Sequence, residues 1–142
     1  MEQKDFLLRE IEKIGTLLRM ILNSFTGKNE NITISNKCQF EKTKELLFNE
    51  IDFDFEKFLS FDISSSKDYI LQFNGINTDN LELLAEIILQ FSINEKSEKR
   101  KTYLEKALQI YELCNLTDKT FSFERESNIT KIKKLLITPI EN

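Results

Sequence analysis

Only three glycines and one proline punctuate the whole 142-residue chain. Sheet folds with many tight turns use both residue types heavily, glycine where φ must be positive and proline where a turn is preset. Their scarcity predicts long helices. The glycines stand at 15, 27 and 75, and the proline at 139.

The apolar spacing says the same. Leu7, Ile11, Ile14, Leu18, Ile21 and Phe25 recur at alternating steps of four and three. Those steps keep all six on one stripe of a helix. Asp5–Phe25 is therefore expected as the first helix, ended by Gly27. Gly15 inside it costs roughly 1 kcal/mol against alanine, so a neighbouring element is expected to pack close there. Three readings fit the stripe. It is a core face of a bundle, or a dimerisation face given its heptad-like spacing, or a membrane-surface face. Fewer than three heptads weighs against the second reading. Mixed acids and bases on the polar side weigh against the third.

Thr26–Asn36 reads as a polar loop and a hinge. Ser35 or Asn36 can cap a second helix reaching about Ile51, with Gln39 as capping-box partner. Asp52 or Asp54 then opens a short helix carrying Phe55, Phe58 and Leu59. Ser64–Ser66 are expected to cap another, with Tyr69, Ile70 and Phe73, ended by Gly75. Asp79 with Glu82 has capping-box spacing ahead of Leu84, Ile87, Ile88 and Phe91. A helix of about Ser97–Cys114 follows, its face formed by Tyr103, Leu104, Ala107, Leu108, Tyr111 and Cys114. Ser122 caps a last helix with Ile129, Ile132, Leu135 and Leu136, and Pro139 stops it. Short turns between helices of this length predict antiparallel packing.

The stretch Leu81–Ile110 resembles one tetratricopeptide repeat. Leu81, Leu84, Ala85 and Ile88 are similar to its first helix, and Tyr103-Leu104-Glu105-Lys106-Ala107-Leu108 to its second. The turn is about three residues longer than in that pattern, Arg100 stands where alanine is usual, and no proline follows the second helix. Stacked repeats bury a continuous core with roughly three units. The resemblance thus implies that residues 1–75 supply the packing surface that missing repeats would provide. Asp5-Phe6-Leu7, Arg9-Glu10-Ile11 and Leu17-Leu18-Arg19 resemble the N-terminal helix of uncharacterised bacterial helical proteins, which carry no known activity.

Chemistry is constrained by what is missing. The chain has no histidine, which removes Ser–His and Cys–His pairs, histidine bases and histidine metal ligands. Three isolated glycines cannot form a phosphate-cradling loop. Cys38 and Cys114 are far apart, and both are expected to be reduced, buried thiols of a reducing compartment. Asp52, Asp54 and Glu56, followed by Asp62, open like a Ca²⁺ loop. Lys57 and Ile63 then stand where that loop requires glycine and glutamate. The acids are expected to be helix caps and solvated companions of Phe53, Phe55 and Phe58. Lys99, Arg100 and Lys101 form the densest basic run, interleaved with Glu95, Glu98 and Glu105, and read as a solvated helix face. The net charge of −4 is spread without a basic patch, which disfavours nucleic acid as partner. No run of about 18 apolar residues exists, so no membrane partner is expected.

The sequence therefore predicts one all-α domain over 1–142, a bundle of about six helices. Residues 1–75 form its N-terminal helices, and residues 76–142 a tetratricopeptide-like hairpin region. The expected role is a small cytoplasmic protein-interaction or scaffold module without catalytic activity and without a cofactor. Its partner is a protein or peptide, or a second copy through the N-terminal helix. The candidate interaction surface is Leu7, Ile11, Ile14 and Leu18 together with Lys99, Arg100 and Lys101. One alternative is a magnesium-dependent enzyme using Asp52, Asp54 and Glu56. A second is a nucleic-acid-associated protein using the Lys99–Lys101 face.

Overall fold

The computed structural model describes residues 2–25 and 35–138. Most of the loop expected as a hinge, and Pro139, lie outside them. The described residues form seven helices and no strand. They are α1 (Glu2–Phe25), α2 (Asn36–Ile51), α3 (Phe55–Ser60), α4 (Ile63–Leu71), α5 (Thr78–Asn94), α6 (Lys99–Thr117) and α7 (Phe123–Ile137).

Helix α5 is the centre. Leu81, Leu84, Ala85, Ile87, Ile88, Leu89 and Phe91 are all buried and cover a little over half of its circumference. A helix with so wide a buried face needs several neighbours, while Glu82, Glu86 and Gln90 keep its other face polar. The chain supplies α1, α2 and α6. Cys114 lies beside Thr78 and Tyr103 beside Phe91, so α6 runs antiparallel to α5. Helix α7 returns antiparallel along α6, where Asn128 donates to the Tyr111 hydroxyl at 3.1 Å. Helix α1 runs parallel to α5, with Gly15 against Asn80 at one end and Phe25 against Phe91 at the other. One apolar cluster draws on all seven helices, from Ile14 and Leu18 to Ile129 and Ile132. Both sub-regions expected from the sequence thus share one core.

Local chemistry explains the helix starts. Ser35 caps α2 by accepting from the Cys38 amide. Gln39 turns away from the expected capping box and donates to Ser24 at 2.5 Å. Asp54 caps α3 and Asp62 caps α4, accepting from Lys57 and Ser65 amides at 3.0 and 2.7 Å. The expected serine cap of α4 is therefore corrected: a carboxylate two residues earlier takes the position, which also suits the helix dipole. Helix α5 is capped by Asn77, which accepts from Asn80, rather than by Asp79. Ser122 caps α7 as expected.

One expectation about exposure is corrected. Cys38 is exposed on the outer face of α2, and only Cys114 is buried. Leu7 belongs to the α1 stripe by spacing but is 39% exposed, because α1 extends past the end of α5 there. The residues from Lys4 to Arg9 are all exposed.

Candidate docking groove

A groove of about 690 Å³ opens between α2, α3, the α5–α6 turn and the first turn of α6. It exists because α3 is only six residues long. Such a short helix cannot cover the side of α6 that α2 leaves bare. Phe40 of α2, Leu59 of α3 and Tyr103 of α6 form the apolar part of its lining.

That floor is part of an aromatic cluster. Phe40 packs on Phe55, Phe91 and Tyr103 with ring centroids 5.5, 5.6 and 6.5 Å apart. Phe91 stacks on Tyr103 at 5.8 Å. Offset and edge contacts of this kind fix ring orientation beyond simple burial. Burial, then the nearby Glu95 carboxylate, pushes the Tyr103 hydroxyl pKa up.

The rim is polar and carries both signs. Lys37 and Glu41 line it from α2, Glu56 from α3, and Lys99 from α6. Glu56 is paired with Lys44 at 2.6 Å. Glu95 is partly buried, which raises its pKa. Hydrogen bonds from Asn36 and Ser97 outweigh that and hold the carboxyl below its ordinary value. Asn36 thereby ties the start of α2 to the α5–α6 turn. Its side-chain oxygen is buried and has no partner among the described residues. Lys37 and Lys99 form no ion pair among the described residues.

The candidate surface expected from the sequence divides. Ile14 and Leu18 are each 2% exposed and belong to the core against α5, so they are corrected from surface to core. Ile11 is half-buried and Leu7 lies beyond the bundle's edge. Among the basic residues, Lys99 lines the groove. Arg100 is half-buried, with its Nε unpartnered among the described residues. Lys101 points outward, 3.8 Å from Glu105. Successive helix positions diverge by about 100°, so the three do not form one basic face. The acids scatter as well. Asp52 ends α2 at φ 58°, Asp54 and Asp62 cap helices, and Glu56 pairs with Lys44. Among the described residues no three His, Cys, Asp or Glu side chains are grouped to hold a metal.

Sequence reasoning missed two buried cations. Lys106, 4% exposed, donates to the Phe61 carbonyl at 2.9 Å and to the Ser66 hydroxyl, with its Nζ 4.4 Å from the Phe58 ring centroid. Burial pulls its pKa down to about 8, against the opposing field of Asp62. Ser66 passes its own proton toward Gln109 at 3.1 Å. A nucleophilic serine would instead give that proton to a base and face a substrate. Here the serine receives from the lysine and is 2% exposed, so the pair works as a tie between α4 and α6. Arg125, 4% exposed, binds Glu82, Asn115 at 3.0 Å and Asp118 at 3.2 Å, joining α7 to α5 and to the end of α6. Periodicity could have found both. Lys106 stands between Tyr103 and Ile110 at core spacing, and Arg125 stands four residues before Ile129.

No family model, curated protein or solved structure matches this chain.

Proposed function

We propose that this protein is a non-catalytic interaction module that receives a peptide segment of a partner in the α2–α3–α6 groove. One observation carries the reading: a preformed aromatic floor of Phe40 and Tyr103, extended by Leu59, under a charged rim. Apolar pockets with a few fixed polar groups are the usual form of a binding site. Amphipathic peptides dock by placing apolar anchors in such a groove and polar residues at its edge. Lys37 and Lys99, free of ion pairs among the described residues, favour a segment with an acidic residue beside its apolar anchor.

The test is selection from a displayed random-peptide library on the full chain. The expected ligands carry a bulky apolar anchor flanked by acid. They should bind about tenfold more weakly to the rim reversal Lys37→Glu/Lys99→Glu, whose two positions are exposed. Peptides that bind both proteins equally, or a library that yields none, would sink the reading.

A further inference from the structure

We propose that the exposed first turns of α1 join this chain to a second copy of itself. The two helices would lie antiparallel, with Lys4 of each copy opposite Glu10 of its mate.

The starting point is geometric. Beyond Ile11 the α1 stripe packs on the bundle, but at Leu7 that face is open. Phe6, Leu7 and Leu8 are 63, 39 and 54% exposed. Three consecutive large apolar residues on a protruding helix are a costly surface to leave in water. Leu71, 69% exposed, lies four residues before Gly75, where a Cβ would stand 2.8 Å from the Glu10 carbonyl oxygen. The same end of the bundle is thus apolar on α1 and at the end of α4.

The charges identify the occupant. Lys4 and Glu10 lie three residues before and three after Leu7. Steps of three keep them on the Leu7 face, about 60° to either side. A two-fold antiparallel pair centred on Leu7 places residue 7−n opposite residue 7+n. Leu7 then meets Leu7, Phe6 and Leu8 border the seam about 100° to either side, and Lys4 meets Glu10 twice, as an isologous contact requires. Neither Lys4 nor Glu10 forms an ion pair among the described residues. Asp5 and Arg9 point to the opposite side and remain solvated. An anionic membrane is the poorer fit, because the face carries equal numbers of acids and bases where surface-binding helices are basic.

Charge exchange tests this directly with the full chain. Sedimentation equilibrium of the wild type from about 10 to about 500 μM should show a monomer–dimer equilibrium. Lys4→Glu and Glu10→Lys each set like charges opposite one another, and each should weaken self-association by about tenfold. An equimolar mixture of the two variants should regain wild-type association, since each then faces its complement. Far-UV circular dichroism should stay unchanged, because both side chains lie outside the core. Three results would overturn the proposal: a wild type that stays monomeric throughout, a Glu10→Lys variant that associates as well as wild type, or a mixture that does not recover.

Discussion

The side-chain amide of Asn80 donates to the backbone carbonyl of Ile11 at 2.9 Å and, from the same nitrogen, to the carbonyl of Gly75 at 2.7 Å. One buried side chain thus fastens α1 to the turn that precedes α5. Gly15 makes room for it: a Cβ there would stand 2.9 Å from the Asn80 oxygen. Asn80→Ala leaves the Gly75 carbonyl buried without its donor and should cost about 1–3 kcal/mol. Asn80→Asp should cost more, since its carboxylate would face two carbonyl oxygens. Urea unfolding of the three proteins gives the order; an aspartate variant more stable than the alanine variant would refute the account.

Gly75 and Gly15 should respond differently to alanine. At Gly75 a Cβ would stand 2.8 Å from the Glu10 carbonyl oxygen and 2.6 Å from Ile14 Cδ1. Backbone is the obstacle, so α1 itself must shift, and a loss of about 1–3 kcal/mol is expected. At Gly15 the obstacles are the side-chain ends of Asn80 and Arg19. The gain in helix propensity, about 1 kcal/mol, offsets part of the collision. Chemical denaturation should rank Gly75→Ala well below Gly15→Ala.

The two thiols should separate by reactivity. Cys38 is exposed on α2, whereas Cys114 is fully buried and its pKa is pushed up to about 12 by burial and by Glu82. The thiolate is the reacting species. In native protein a disulfide reagent should titrate one thiol within minutes at pH 8, and the second only as the chain unfolds. Prompt reaction of both would contradict the packing of α6 against α5.

The helical architecture was legible because it rests on periodicity and on punctuation by few glycines. The stripe from Ile14 to Ile21 and the faces of α5 and α6 fell where spacing put them. Caps were harder. Asp62 and Ser64 are both good cap residues, and which one serves depends on where Phe61 ends α3. The groove was not legible at all. It arises from a length mismatch, a six-residue α3 beside much longer helices, and no local pattern encodes that. The sequence reading nevertheless reached Lys99 at its rim, and it placed Tyr103 on the apolar face of its helix. Leu7 shows the converse limit: spacing assigns a residue to a stripe, but only the neighbour's length decides whether the stripe is covered.

Lys106 makes the stability of the fold depend on pH in a defined direction. Its folded pKa of about 8 lies below the ordinary 10.5. Below about pH 8 both folded and unfolded chains carry the proton, and the cost of burying the charge is fully present. Between about 8 and 10.5 the unfolded chain still holds the proton that the folded chain has released, so stability rises with pH. Cys114 and Tyr111, both raised by burial, act oppositely from about pH 9 upward, because the unfolded chain ionises first. Comparison with Lys106→Met cancels those two groups. The wild type should gain on the variant by about 1–3 kcal/mol between pH 7 and pH 10, measured by denaturant midpoints at fixed ionic strength. A stability difference that stays flat over that range would show that the lysine charge is not held at a cost between Phe58 and Ser66.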